Sequence, residues 1–356
     1  MPPSLRDLQV QCGASFAPVF ETDLATQYGD VAAEWNAVRR GCGMIDAGWR
    51  GVLRVTGSDR AEFLQGMLTN QIKTLIPGQG VAAAHLTVQG RVVADMRVLV
   101  LDDEIWLDVP AQRKALLRET LERYLVADDV ELVDDDAIIP LLSLEGPRSS
   151  EVAAVVLGGP LEGLAPLSHT ERSLDGGKLR IVNASNTGEP GVMIFGGVDA
   201  AAALWQRCRQ AGAVPVGMQA LDILRVEAGI PWCDRDMDES TLAPEVGLEG
   251  AISFTKGCYI GQEVVERVAA RGQVQRKLTA LECDGDDVPP PGTKLLRDGE
   301  EVGAITSAVR SFARDGVIAL AYVRRSAWEP GTIVQVGGDV RGTVVALGSI
   351  ERPSAT

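Results

Sequence analysis

Histidine, aromatic side chains and closely spaced cysteines are scarce in this 356-residue chain. The two histidines, His85 and His169, have no cysteine or carboxylate near them at the spacing of a metal site, so we expect no metal centre. Aromatic residues make up 4% of the chain, which leaves little for stacking on nucleic-acid bases. The six cysteines form no Cys-x-x-Cys pair, which favours free thiols over disulfides or a zinc site.

Positive charge is also in deficit. The chain has 34 Lys and Arg against 49 Asp and Glu, a formal net charge of -15. Because nucleic-acid affinity comes largely from neutralising phosphates, we expect no direct nucleic-acid partner. No apolar run approaches the length of a membrane span and the N-terminal residues lack a signal-peptide pattern, so we expect no membrane partner and a cytoplasmic location.

The remaining composition is that of a globular protein, with 46% hydrophobic and 23% charged residues. A chain of 356 residues exceeds what one hydrophobic core usually serves, and this length predicts two or three domains.

The first half of the chain alternates strand and helix patterns. Gly51–Val55 reads as a strand, and Ser58–Asp59 follows as the cap of a helix. The β-rich segments Val81–Val88 and Arg91–Leu101 meet at a short glycine-containing turn, which predicts a hairpin with Asp95 on its second strand.

A similar order recurs after residue 140. Because hairpins are interleaved with few helices, the pattern favours mostly antiparallel sheets over a doubly wound parallel sheet. We therefore predict an α+β fold of two intertwined ferredoxin-like subdomains. The second is built from strands 141–144, 178–182 and 191–195, a helix after Pro147 and a helix over 199–211.

The C-terminal part has a different pattern. The run Asp284–Gly292 combines acidic residues with prolines and glycines, as domain edges do, and predicts a nearby boundary. Short strand patterns follow and predict a small closed β-barrel. We divide the chain into an α+β region at residues 1–277 and a barrel at residues 278–356.

Two carboxylates are candidate ligand-binding groups. Asp95 shares a strand face with Val93 and Arg97 and is able to accept hydrogen bonds from a ring NH or an amino group, although pairing with Arg97 or Arg91 at the surface is the commoner use of such a residue. Glu189, in a turn before a strand, either faces a cleft or is simply solvated.

Arg225, at the end of a predicted helix, is a candidate clamp for a ligand carboxylate. The alternative is an internal ion pair with Glu227 or Asp222, which is the more frequent use of such an arginine.

The most specific motif is the octapeptide Lys256-Gly257-Cys258-Tyr259-Ile260-Gly261-Gln262-Glu263. Lys256 and the start of the following helical pattern are both groups that stabilise a thiolate, which makes Cys258 a candidate reactive thiol. A small residue that fills a tight turn is the equally weighted alternative.

This octapeptide resembles the signature of YgfZ-type proteins, folate-dependent factors that support iron–sulfur enzymes. The runs 224–229 and 242–248 and the tripeptide Thr187-Gly188-Glu189 resemble the wider superfamily of the glycine-cleavage T-protein, an aminomethyltransferase. Segments 34–45, 51–56, 63–70, 90–95 and the C-terminal strands are similar to the same superfamily, so the resemblance covers nearly the whole chain.

The resemblance implies that Asp95, Glu189 and Arg225 hold tetrahydrofolate or a one-carbon derivative of it, and that Cys258 and Asp95 are the candidate catalytic groups. It further implies iron–sulfur client or assembly proteins as partners, with an indirect effect on tRNA modification. T-proteins carry paired acids near Asp95 and lack the cysteine octapeptide, whereas here Ala94 stands in place of the second acid. We therefore rank the YgfZ-type function first.

A true aminomethyltransferase with a lipoyl carrier protein as its partner is the second hypothesis. The folate module of a larger oxidising enzyme with a flavin-bearing partner is the third, because the sequence has no glycine-rich dinucleotide motif of its own.

Overall fold

The structure is a computed structural model that describes residues 3–20, 22–161, 163–271, 274–338 and 340–349. The α-helices are α1 Leu5–Gln11, α2 Val31–Arg40, α3 Arg60–Met67, α4 Lys114–Glu122, α5 Ser149–Leu157, α6 Ala201–Gln210, α7 Met218–Glu227, α8 Ala243–Val246 and α9 Gln262–Arg271. The strands are β1 Ser15–Val19, β2 Thr22–Gln27, β3 Gly43–Asp46, β4 Arg50–Thr56, β5 Gly80–Leu86, β6 Val92–Val100, β7 Ile105–Pro110, β8 Glu131–Val133, β9 Ile139–Glu145, β10 His169–Leu174, β11 Gly177–Asn183, β12 Gly191–Gly196, β13 Val214–Pro215, β14 Arg276–Cys283, β15 Lys294–Arg297, β16 Glu300–Ser311, β17 Gly316–Arg324, β18 Ile333–Val336 and β19 Val340–Val345.

The first sheet has the strand order β5-β6-β7-β4-β8. The predicted hairpin joins β5 to β6, and its turn is closed by a hydrogen bond from the Thr87 N–H to the Arg91 carbonyl at 2.8 Å. Helices α3 and α4 bury Phe63, Leu117 and other apolar side chains in one core with this sheet. The helical spacing of these residues places them on one face of each helix.

The second sheet has the order β10-β11-β12-β9-β3-β13. Its pairs are antiparallel except the parallel pair of β13 with β3. Leu8 of α1, Ala153 of α5 and Trp205 of α6 are buried in its core. Strand β3 precedes the first sheet in the chain and its partner β9 follows it, so the two subdomains are intertwined, as predicted.

The barrel closes in the order β14-β17-β16-β15-β18-β19, because β14 pairs with both β17 and β19. The α+β fold with a C-terminal barrel is therefore confirmed. The Asp284–Gly292 segment does not separate domains. It connects β14 to β15 inside the barrel, since a polar connection rich in proline and glycine has the same composition whether it joins strands or domains.

Packing divides the chain into two compact units that interleave in sequence. Unit 1 comprises the described residues up to His85, Ala94–Leu221 and Ala251–Tyr259. Unit 2 comprises Leu86–Val93, Asp222–Gly250 and the described residues from Ile260 onward. The predicted division of the chain at residue 277 stays a prediction. No helix in the described ranges is long and apolar enough to cross a membrane.

Candidate functional site

Asp95 lies near the middle of β6 in unit 1. Its neighbours Ala94 and Met96 are buried in the core of the first sheet. Because side chains alternate along a strand, Asp95 points to the opposite face, which it shares with Arg97. Asp95 is partly exposed on that face.

Arg97 is part of a buried ion cluster. Its Nη1 donates to Oδ2 of Asp108 on β7 at 3.0 Å, and Nε of Arg50 on β4 donates to Oδ1 of the same carboxylate at 2.6 Å. Asp108 is fully buried. Burial and the nearby charge of Arg50 lower the pKa of Arg97, while Asp108 opposes that change. One carboxylate thus holds two guanidinium groups in fixed positions.

The second guanidinium nitrogen of Arg97 reaches a loop that connects β11 to β12. This loop, Ala184–Pro190, is called the 184–190 loop below. Arg97 Nη2 donates to the Ser185 carbonyl at 3.1 Å and to Oδ1 of Asn186 at 2.6 Å. The face of β6 that carries Asp95 is therefore tied directly to the loop that carries Glu189.

Glu189 is buried at the end of this loop rather than solvated. Its Oε1 accepts a hydrogen bond from Nη1 of Arg39 on α2 at 2.6 Å, and both side chains are at most 10% exposed. A buried ion pair of this kind is costly to break, because removing one partner leaves the charge of the other buried without compensation. The solvated interpretation of Glu189 is wrong, because Arg39, 150 positions earlier in the chain, forms a buried ion pair with it.

The segment that carries Cys258 is anchored to the end of α3 in unit 1. Nζ of Lys256 donates to the carbonyl oxygens of Gln65, Leu68 and Asn70, at 2.6 Å for Gln65 and 2.9 Å for Asn70. Burial lowers the pKa of Lys256 to about 8, although three carbonyl acceptors favour its charged form. Lys256 thus binds backbone oxygens, a use that the sequence did not predict.

Cys258 itself is exposed. The interpretation of this residue as a small side chain that fills a tight turn is therefore wrong. The thiol is presented on a segment whose position is fixed two residues earlier by Lys256.

The other residues of the octapeptide have different environments. Tyr259 is buried, and its ring lies 5.1 Å from Nζ of Lys256. Gly257 is open, with no heavy atom near the place of a Cβ. Gly261 has a φ of +83°, and a Cβ there would lie 2.6 Å from the Thr87 carbonyl oxygen, so this position requires glycine.

Gln262 and Glu263 form the first turn of α9, the latter largely exposed. Gln262 donates to Glu266 at 2.6 Å, and Arg267 pairs with Glu263 at 3.3 Å.

Arg225, on α7 in unit 2, is fully buried. Each of its three guanidinium nitrogens already donates: Nε to Asp222 at 2.8 Å, Nη1 to Asp236, and Nη2 to Ser307 at 2.7 Å. The pair with Asp222 is one that the sequence suggested, whereas Glu227 accepts from Ser311 at 2.6 Å. Arg225 is thus placed to connect α7 to barrel strand β16.

In the part of the chain that the structure describes, no group of three His, Cys, Asp or Glu side chains is placed to hold a metal ion. His85 is buried with Nδ1 3.0 Å from the Met67 carbonyl, and burial lowers its pKa. His169 is also buried, on the edge strand β10.

The sequence reasoning missed the groups that hold the candidate site in place, namely Arg39, Arg50, Asp108 and Glu145. Asp108 stands in a strand whose other residues are apolar, Glu145 stands in one whose only other polar residue is Ser143, and both acids are fully buried. A lone acid in an otherwise apolar strand signals a buried partner, because an unpaired buried charge is too costly. The sequence does not identify that partner.

Comparisons with known proteins match nearly the whole length of the chain to one protein family. The family profile described as the GCVT N-terminal domain matches residues 5–256, and the one described as the glycine cleavage T-protein C-terminal barrel domain matches residues 276–353. An aminomethyltransferase of Rubrobacter xylanophilus is 30% identical over 87% of this chain and 84% of its own length.

A chloroplastic protein of Arabidopsis thaliana, whose transferase name is provisional, is 28% identical over 99% of this chain and 82% of its own. Among solved structures, the glycine cleavage system aminomethyltransferase T from Bartonella henselae superposes with a TM-score of 0.90 at 23% identity. The superposition covers 98% of this chain and 97% of that one, and at this identity it shows the fold.

Proposed function

The chain belongs to the glycine cleavage T-protein family, and on that premise we propose that it binds tetrahydrofolate or a one-carbon derivative through Asp95 and Glu189. One observation carries the proposal. Asp95 shares a face of β6 with Arg97, and Arg97 holds the loop that bears Glu189.

The two carboxylates fit the chemistry of the folate ring. The ring of tetrahydrofolate offers N–H and amino donors, which carboxylate oxygens accept. Asp95 is the accessible acceptor, while Glu189 is held rigidly by Arg39. Rigid acceptors bind with less loss of side-chain entropy than mobile ones, which favours a defined ring orientation.

For Arg225 we propose an indirect part. Its guanidinium donates to Asp222, Asp236 and Ser307 and the residue is fully buried, so direct contact with the glutamate tail of a folate would require Arg225 to become exposed. In the proposal, Arg225 positions the part of α7 that belongs to unit 2, residues 222–227.

Aminomethyl transfer is the proposed use of the bound folate, and a lipoyl carrier protein would then be the partner. Aminomethyltransferase is the name of the Rubrobacter relative, whose length this chain largely covers. The structure also weakens the argument from Ala94. Position 94 is fully buried on the core side of β6, so an acid there would not share a face with Asp95. In this proposal Asp95 orients the folate.

A second use is favoured by the exposed thiol of Cys258 on its anchored segment. This second use is the YgfZ-type function, which is support of iron–sulfur enzymes with an indirect effect on tRNA modification. It would give the Cys258 thiol a role, whereas aminomethyl transfer gives it none. Iron–sulfur client or assembly proteins in the cytoplasm would then be the partners.

Calorimetric titration of tetrahydrofolate under anaerobic, reducing conditions tests the proposal. We expect wild-type protein to bind, and Asp95→Asn and Glu189→Gln each to weaken binding by about tenfold or more, since a lost charge-assisted hydrogen bond is worth about 1.5–3 kcal/mol. Glu263→Gln is the control, because that side chain is 91% exposed. Binding by neither wild type nor control would refute the proposal.

Two assays separate the uses. In a reconstituted glycine-cleavage system, ammonia release that depends on this chain and is lost in Asp95→Asn would support aminomethyl transfer. In cells that lack the protein, recovery of an iron–sulfur enzyme by wild type but not by Cys258→Ala would support the second use. Full recovery by Cys258→Ala would exclude a part for that thiol.

A further inference from the structure

A single buried carboxylate organises the 184–190 loop. Glu145, the last residue of β9, is fully buried beneath the loop. Its Oε1 accepts hydrogen bonds from Oγ of Ser143 at 2.6 Å, from the backbone N–H of Asn186 at 3.0 Å and from Nδ2 of Asn186 at 2.9 Å. Arg97 donates to Oδ1 of the same amide, which fixes its orientation.

The other oxygen, Oε2, accepts from two hydroxyls of the loop. Ser185 Oγ lies 3.3 Å away and Thr187 Oγ1 lies 2.9 Å away. These hydroxyls are themselves acceptors of backbone N–H groups: Ser185 Oγ accepts from Thr187 at 3.2 Å and from Gly188 at 3.0 Å, and Thr187 Oγ1 accepts from Glu189 at 3.3 Å.

The direction of every proton in this network follows from the donors. An N–H has no other role than donation, so the hydroxyls of Ser185 and Thr187 must turn their own protons toward Glu145. Ser143 Oγ does the same, because it accepts from Nδ2 of Asn186 at 3.0 Å. Both oxygens of Glu145 are therefore pure acceptors.

Four consecutive backbone N–H groups, those of residues 186–189, thus end on Glu145 directly or through one hydroxyl. Loops normally satisfy such groups with water or with neighbouring backbone. Here the Glu145 carboxylate satisfies these N–H groups, directly or through a hydroxyl, and the last N–H in the series belongs to Glu189.

We propose that Glu145 is a positioning residue for Glu189: through Thr187 it sets the backbone from which the ligand-binding carboxylate projects. The expected effect on ligand binding rests on the proposed folate function, whereas the anchorage of the loop by Glu145 does not. Glu145 touches no ligand and takes no proton in this account.

Two disruptive variants, Thr187→Val and Glu145→Gln, test the proposal. Thr187→Val keeps the size of the side chain and removes the hydroxyl that joins Glu145 to the Glu189 N–H, whereas Thr187→Ser keeps that hydroxyl. Glu145→Gln replaces one carboxylate oxygen with an amide nitrogen, which is a donor, at a position where the hydrogen-bond partners are themselves donors. Thr279→Val is the matched control, since Thr279 is a buried threonine of the barrel whose hydroxyl donates to a carbonyl.

The first measurement is amide hydrogen exchange of the ligand-free protein, followed on a peptide that spans residues 184–191. We expect Thr187→Val and Glu145→Gln to speed exchange of this peptide at least tenfold, and Thr187→Ser and Thr279→Val to leave it within twofold of wild type. Unchanged exchange in both Thr187→Val and Glu145→Gln would overturn the anchorage.

The second measurement is tetrahydrofolate affinity. If wild type binds, Thr187→Val should weaken binding at least fivefold and Thr187→Ser should restore it, a rescue that a purely destabilising effect would not give. Faster exchange with unchanged affinity would refute positioning while leaving the proposed function intact. Failure of wild type to bind would refute the proposed function, and exchange would still decide the anchorage.

Discussion

The ion cluster beneath the candidate site makes a quantitative prediction for Asp108→Asn. The substitution keeps the shape of the side chain but removes the charge that Arg50 and Arg97 share at 2.6 and 3.0 Å. The amide nitrogen of an asparagine would face one of the two guanidinium groups as a second donor. Two like charges, at most 14% exposed, would then lie together without the carboxylate that they share.

Removing one partner of a buried ion pair costs about 3–5 kcal/mol. We expect the lower end, about 3 kcal/mol, because the asparagine oxygen still accepts one hydrogen bond. With about 2–4 °C per kcal/mol for a large domain, the transition that includes unit 1 should shift down by roughly 6–12 °C.

Urea unfolding followed by far-ultraviolet circular dichroism and scanning calorimetry measure these two quantities. Glu122→Gln is the control, because Glu122 forms an exposed i,i+4 pair with Arg118 and should change stability by less than about 0.5 kcal/mol. If Asp108→Asn folds and loses less than about 1 kcal/mol, the view that Asp108 is the necessary counter-ion of both arginines is wrong.

Three further predictions follow from single residues. Burial and the charge of Arg180 lower the pKa of His169 to about 4, below its ordinary 6.5, so only the unfolded state is protonated between these values. As the pH falls through that window, the free energy of unfolding of wild type should decrease by about 3 kcal/mol relative to His169→Gln, as measured by urea unfolding. Gly191→Ala should destabilise by about 1–3 kcal/mol in the same assay, because its Cβ would lie 2.5 Å from the Ala184 carbonyl oxygen. Cys258→Ser should abolish the fastest phase of labelling by a thiol reagent in native protein, and retention of that phase would contradict the exposure of this thiol.

Regular elements were predictable where local pattern and packing agree. The apolar spacing in α3 and α4, the glycine turn between β5 and β6, and the closely spaced barrel strands all have a local signal that tertiary structure preserves. The short run Asp284–Gly292 had a strong local signal too, but composition does not distinguish a loop within a barrel from a linker between domains.

The candidate site was predictable only in part. Asp95 and Glu189 stood out by their places next to turns and in a strand, yet their environments depend on partners far away in the chain. Arg39 reaches Glu189 across 150 residues, and Arg97 reaches Asn186 across 89. No local pattern encodes such pairs, because they arise from the way two sheets come together.

The intertwined order of the two sheets has a consequence for the nascent chain. Strand β3 pairs with β9 about one hundred residues later, in the register Gly43 with Glu145, and the whole first sheet is made in between. During synthesis the segment from β4 to β8 has all its sheet partners before β3 has any, so it is able to form its own core first. Residues 50–133 then behave as an insertion within the second subdomain, and a chain that stops before β9 leaves β3 as an unpaired edge open to aggregation.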